Sequence, residues 1–356
     1  MAKKVVISCA VTGSIHTPSL SPNFPATPDQ IIQQAVDAYK AGAAVLHIHA
    51  RNQEGKPVGD FETFGYILSN IKKQCPEAVI GITTGGANGM STEERFSIIE
   101  YFKPEMASAN AGSMNFSYHK LLDDVKEVRY DWEKEYVTRT YDNVFKNTFK
   151  DIEYCIRTMN ASGTLPEYEV FDLGQLNNLA YFKKEGLLPD PIYIQFVPGV
   201  LGGYPASNEN IMYMIDQAKK LLGNNIQYST VAPGRRMFRL ATFMALNGGN
   251  VRVGMEDGLY LKPNGELAKD CAAQVTKIKN ILESLDYEIA CPDEAREMLN
   301  LKGADKMIMN LAQKMIKGKR ESEITDNDKI MISYMENGCN LIDRQRIRPI
   351  VEEMAK

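Results

Sequence analysis

Charge of one sign is missing from this 356-residue chain: 41 Lys and Arg stand against 45 Asp and Glu, a net −4. So even a balance provides no global field to recruit nucleic acid or an anionic membrane. Long apolar runs are missing too, and MAKKVVISCAVTG enters a strand-like segment without the apolar core and cleavage site of a secretory signal. A cytoplasmic protein with no membrane span is expected. The six cysteines (Cys9, Cys75, Cys155, Cys271, Cys291, Cys339) contain no C-x-x-C, which excludes a zinc ribbon and a thioredoxin-like motif. All six are expected to be reduced, with Cys9 a buried structural thiol. Internal repeats and low-complexity tracts are absent, while 44% hydrophobic and 24% charged residues are ordinary for a globular chain. Small molecules are the partners this composition suits.

What is present is alternation. Apolar or β-branched runs at Val5 to Ala10, Ala44 to His49, Ala78 to Thr83, Met106 to Asn110, Glu167 to Phe171, Ile192 to Val197, Ile226 to Val231 and Val251 to Gly254 alternate with helical patterns. Thr27-Pro28 suits a helix start that Gly42 ends, and Ser207 with Gly223 brackets another. Eight strand–helix units match an α/β (β/α)8 TIM barrel over residues 1–290. The charged, aromatic segment 120–149 reads as an insertion after strand 4, either a surface excursion or an oligomer arm or lid. Residues 291–356 read as a helical C-terminal extension.

In such a barrel the strand C-termini build the active site. His47 and His49 alternate onto one face of strand 2 and could share a divalent ion; an exposed pair is the plain alternative. Glu256 and Asp257 follow strand 8, with Arg252 just before, and offer a third ligand and a base; an acidic helix cap is the alternative there. Thr83, Thr84, Gly85 and Gly86 end strand 3, and Ser108 and Asn110 end strand 4. Glu167 and Glu169 share a face of strand 5. Strand 6 runs from Gln195 into a loop containing Gly199 that could approach a ligand with backbone N–H groups. Any one of these could be a simple cap or solvated rim.

Together and in this order, His47-x-His49, Thr83-Thr84-Gly85-Gly86, Asn110 to Phe116, Pro166-Glu-Tyr-Glu169, Gln195-Phe-Val-Pro-Gly199 and Arg252-x-x-x-Glu256-Asp257 resemble the β-keto acid cleavage enzymes, a family that includes enzymes acting on 3-keto-5-aminohexanoate. The resemblance spans residues 1 to about 300. It implies a zinc-holding barrel in a homo-oligomer, tetramer or dimer, that condenses a β-keto acid with acetyl-CoA to give acetoacetate and a new acyl-CoA. By motif, His47, His49 and Glu256 resemble the zinc ligands, and Arg252 and Asp257 the catalytic pair, with Asp257 as base. Thr83, Ser108 and Glu169 resemble groups that orient substrate or intermediates. Ser14, His16, Thr84, Gly85, Asn110, Gln195 and Gly199 are the expected substrate contacts. Where family members with an amino-substituted substrate have an acidic residue after strand 1, this chain has Ser14-Ile15-His16, so a neutral or anionic tail is expected, with His16 or Ser19 as its polar partner. A zinc-dependent hydrolase or metal-dependent aldolase working without CoA is the competing reading of the same barrel.

Overall fold

Each of the expected runs forms a strand: β1 (Ile7–Ala10), β2 (Val45–Ile48), β3 (Val79–Ile82), β4 (Met106–Asn110), β5 (Leu165–Val170), β6 (Ile192–Phe196), β7 (Ile226–Thr230) and β8 (Val251–Val253). The structure is a computed structural model that describes residues 3–85 and 90–307. Each strand leads to a helix: α1 (Pro28–Ala41), α2 (Phe61–Gln74), α3 (Thr92–Phe102), α4 (Phe149–Ala161), α5 (Leu173–Lys184), α6 (Asn208–Leu222), α7 (Met237–Leu246) and α8 (Cys271–Glu283). Helix starts follow capping chemistry. Thr27 and Gln30 form a reciprocal capping box at α1, and Gly42 ends it at φ 118°. Asp60, Asp172, Ser207 and Asp270 cap α2, α5, α6 and α8 through their side chains.

The strands are parallel in the order β7-β6-β5-β4-β3-β2-β1-β8. Between β7 and β8 no ladder forms, but Asn250 N–H donates to Tyr228 O at 2.8 Å across the seam. This is a (β/α)8 barrel, nearly closed. Two strands start two residues away from where the sequence suggested. Val5 pairs with Ile289 in a separate two-stranded ribbon, so β1 begins at Ile7, and β5 begins at Leu165.

Period-two alternation sorts the side chains. One set, including Ile7, Leu46, Ile80, Tyr168, Ile194 and Val251, packs against the helices. The other points inward and changes character with height. At the bottom Val6, Val45, Val79, Met106, Leu165 and Tyr193 form an apolar layer, and α9 (Pro292–Leu299) covers it with Ala295 and Leu299. Higher up, the inward positions are polar.

Segment 120–149 is more than an excursion. Val144–Phe145 pairs antiparallel with Met114–Asn115, and a short insertion helix (Trp132–Thr138) leans back over the barrel mouth. Tyr136 Oη donates to Ser14 O at 2.9 Å, and Glu133 accepts from both the N–H and the hydroxyl of Ser19. Of the expected C-terminal extension, residues 308–356 lie outside the described residues. No described helix is long and apolar enough to cross a membrane.

Candidate active site

Three inward side chains meet at the top of β1, β2 and β8. His47 and His49 lie on one face of strand 2, ring centroids 5.1 Å apart. Glu256 reaches both, with Oε2 3.7 Å from His47 Nε2 and Oε1 3.4 Å from His49 Nε2. The three ligand-type atoms lie within 4.8 Å of one another. Two glycines make room. A side chain at Gly13 would come 2.4 Å from Glu256 Cγ, and at Gly254, with φ 144°, it would come 1.9 Å from Ala10 O. That close crossing lets Glu256 N–H donate to Ala10 O at 3.2 Å.

The donor set fits a metal ion. His47 Nε2 and Glu256 Oε2 are buried and have no hydrogen-bond partner, an arrangement that costs free energy unless a cation lies between them. Burial lowers the His47 imidazole well below its ordinary range and keeps it neutral, the form that ligates. Burial works against the Glu256 charge, but the facing His49 and Arg252 hold the carboxyl well below the usual range. Two imidazoles and one carboxylate, with room left beside them, form a donor set common for catalytic zinc.

Beside this cluster, Arg252 organises the acids. Its Nε and Nη2 donate to the two oxygens of Asp257 at 3.0 and 2.9 Å, Nη2 also donates to Glu256 Oε1 at 2.7 Å, and Nη1 donates to Gln195 Oε1 at 2.8 Å. Burial pushes Asp257 up to about 6 against the pull of Arg252. The carboxyl therefore sits near the range where a group gives and takes protons at neutral pH. Glu169 accepts from Asn110 Nδ2 at 3.1 Å and is raised by burial to about 7. Glu167, one step deeper on the same face, accepts from Gln195 Nε2 at 2.7 Å and is raised by burial to about 8.

These groups open into a cavity of about 1050 Å³, counting its mouth. Ser14, Ile15, His16, His49, Thr83 and Gly85 line one side; Asn110, Glu169, Arg252, Glu256 and Asp257 line the floor. Other expected site residues lie elsewhere. Thr84 turns its hydroxyl to Ser108 O at 2.7 Å while its N–H meets Ser108 Oγ, so the pair ties β3 to β4 and neither lines the cavity. Gln195 lies beneath Arg252, and Gly199 bonds Tyr204 O in the following loop. Ser19 is held by Glu133 outside the cavity. Gly86 lies outside the described residues. His16 reaches the cavity with Nδ1 2.9 Å from Met255 O, and burial lowers it to about 4, so the ring is neutral.

Some participants were not anticipated. Phe116, Phe171, Val197, Val200 and Val231 make an apolar upper wall, and Tyr136, Thr140, Asn143 and Phe145 of the insertion complete it. Arg51, fully buried, donates to Gly13 O at 2.8 Å and His16 O at 2.7 Å and stacks on Phe24, fixing the Ser14–His16 loop. The alternation His47-x-His49-x-Arg51 carried a signal for it, since a third inward residue follows the two ligand candidates.

Comparison with known proteins places the chain in a family. The profile of the family described as beta-keto acid cleavage enzyme matches residues 4–301. The chain is 46% identical over 303 residues (85% of this chain, 97% of the other) to the 3,5-dioxohexanoate:acetyl-CoA acetone transferase of Paraburkholderia graminis. It is 33% identical over 299 residues (84% and 99%) to the 3-keto-5-aminohexanoate cleavage enzyme of Acetoanaerobium sticklandii. A solved apo structure of ObcA superposes with a TM-score of 0.64 at 19% identity, covering 79% of this chain and 66% of that one, a likeness of fold. The chain belongs to the β-keto acid cleavage enzyme family, enzymes of the acyl-transferase type.

Proposed function

We propose that this protein transfers an acyl group between a β-keto acid and acetyl-CoA, releasing acetoacetate and a new acyl-CoA, with one zinc ion held by His47, His49 and Glu256. The observation that carries the reading is the position of Asp257, a buried carboxyl pinned by two guanidinium N–H groups and adjoining a cluster of ligand atoms with two bare acceptors. Zinc, when bound, supplies positive charge that stabilises negative charge developing on the substrate's keto oxygen. Asp257 removes the proton from the carbon between ketone and carboxylate, and Arg252 orients it for that step. The resulting carbanion attacks the acetyl thioester and displaces CoA; the CoA thiolate then attacks the substrate's own acyl carbonyl as the carbon–carbon bond next to it breaks, and the acetoacetate carbanion so released takes the proton back from Asp257. Thr83, Asn110 and Glu169 orient the reacting groups, and the insertion wall excludes water.

The tail of the substrate is neutral in this reading. Among the described residues the carboxylates lining the cavity are Glu169, Glu256 and Asp257, all beside Arg252 or the ligand cluster, while Ile15 and the aromatic wall surround the rest. An ammonium there would lose hydration without a counter-charge. The name of the 46%-identical relative, a transferase of 3,5-dioxohexanoate, supports an uncharged tail. A homo-oligomer, tetramer or dimer, completes the reading. The test incubates the protein with short β-keto acids with and without acetyl-CoA and measures acetoacetate and acyl-CoA. Acetoacetate that forms only with acetyl-CoA supports the reading; cleavage without it points to a CoA-independent hydrolase or aldolase.

A further inference from the structure

The cavity handles the reacting end of acetyl-CoA, but among the described residues that line it the one cation, Arg252, is buried and fully engaged with Asp257, Glu256 and Gln195, and so is not free for the phosphates at the other end. Such cations stand just outside. The loop after β7 turns Val231 and Pro233 toward the cavity and then, within six residues, exposes Arg235, Arg236 and Arg239. The loop after β6 behaves alike: Val197 and Val200 face the cavity, and Ala206 and Ser207 emerge further along. The outer ends of the two loops, with α6 and α7, enclose a separate groove of about 890 Å³.

The groove has the chemistry of a phosphorylated nucleotide. Arg236 and Arg239 line one side, and neither makes an ion pair among the described residues; Arg236 donates only to Ala206 O, at 3.1 Å. Arg235 stands beside them, stacked on Tyr260 at 4.7 Å. Leu240, Phe243 and the exposed Leu246 give the floor an apolar strip on which a purine ring can lie. Ser207 and Asn208 add polar edges. The one acid there, Glu209, bonds its own N–H and the Ser207 hydroxyl. In barrels of this class the loops after strands 7 and 8 commonly receive phosphate groups. Here the loop is also tied to the catalytic one, since Gly234 N–H donates to Asp257 O at 2.7 Å.

We propose that the groove between α6 and α7 seats the 3′-phospho-ADP portion of CoA, with Arg236 and Arg239 on its phosphates and Leu240, Phe243 and Leu246 under its adenine, while the pantetheine arm passes the Val200–Pro233 wall into the cavity. This rests on the acetyl-CoA reading of the site.

The test is the exposed double variant R236E/R239E, with R236K/R239K as the charge-preserving control. The KM for acetyl-CoA rises about tenfold or more in the first and stays near wild type in the second, while the KM for the β-keto acid holds. With S-acetylpantetheine, which lacks the nucleotide, the gap between R236E/R239E and wild type closes. An unchanged KM for acetyl-CoA, or an equal loss with S-acetylpantetheine, overturns the proposal. Calorimetric titration with CoA itself separates the two readings: binding equal in wild type and R236E/R239E removes the groove but leaves the transferase reading intact, and no binding by the wild type removes both.

Discussion

The two ends of this barrel treat buried charge in opposite ways. At the bottom, Glu105 is fully buried, and Arg296 of α9 meets both its oxygens with Nε and Nη2 at 2.8 and 2.9 Å, beside an apolar plug, while its Nη1 reaches the exposed Asp293. At the top, Arg252 serves Asp257 and Glu256 together, and the second Glu256 oxygen, 3.7 Å from His47 Nε2, accepts no hydrogen bond. The lower pair is satisfied by the chain alone and holds the fold. The upper group has one guanidinium for two carboxylates, a balance that suits the proposed cation and proton transfer. Changes at the top should therefore cost chemistry, and changes at the bottom should cost stability.

The sharpest way to break this contrast is Asp257→Asn, which keeps the shape and removes the base. Turnover should fall by about 10²–10⁴-fold with zinc content unchanged; near-normal kcat would move the base elsewhere, with Glu169 the next candidate. His47→Ala and His49→Ala should each take zinc from about one per chain to nearly none by metal analysis, with circular dichroism unchanged. Full occupancy in both would end the assignment. Arg296→Ala should leave an uncompensated buried carboxylate and cost about 3 kcal/mol in denaturant unfolding, while kcat/KM measured below the transition stays at the wild-type level. A loss of activity without a loss of stability would erase the distinction between the two ends. The smallest effect concerns substrate charge: kcat/KM for uncharged 3-ketohexanoate should exceed that for 3-keto-5-aminohexanoate several-fold, and Ile15→Glu should narrow or reverse the preference. A clear wild-type preference for the amine would show that another group meets it.

The contrast also explains what could be read from the residues in advance. Strand positions were legible because apolar runs repeat with turn signals between them, and the gathering of His47, His49, Arg252, Glu256 and Asp257 followed from alternate facing and barrel closure. The upper wall was not legible. Which rings of segment 120–149 turn inward depends on the pairing of Val144–Phe145 with Met114–Asn115 and on a Tyr136 bond to Ser14, 122 residues away. Ser19 illustrates the same limit, because its hydroxyl looked available for a substrate tail until Glu133 was folded against it. Thr84, Ser108 and Gln195 were found by position on a strand end, yet their hydrogen bonds go to neighbouring strands or to Arg252. Local pattern gives the direction of a side chain along its strand; it does not say which neighbour claims the polar atom.

β1 has β2 on one flank and β8 on the other, so the first and last strands of the sheet are hydrogen-bonded neighbours. A chain leaving the ribosome makes β1 before any other barrel strand and cannot complete that flank until Val253 has emerged. Through most of synthesis the nascent sheet carries an open row of backbone donors and acceptors beside Ile7–Ala10, the kind of edge on which other chains aggregate. The same delay governs the proposed metal site: the two imidazoles are made early, and their carboxylate partner arrives with the strand that closes the edge. Protection of that edge and assembly of the ligand set are thus one event in the life of the chain, and a protein truncated before β8 would lack both.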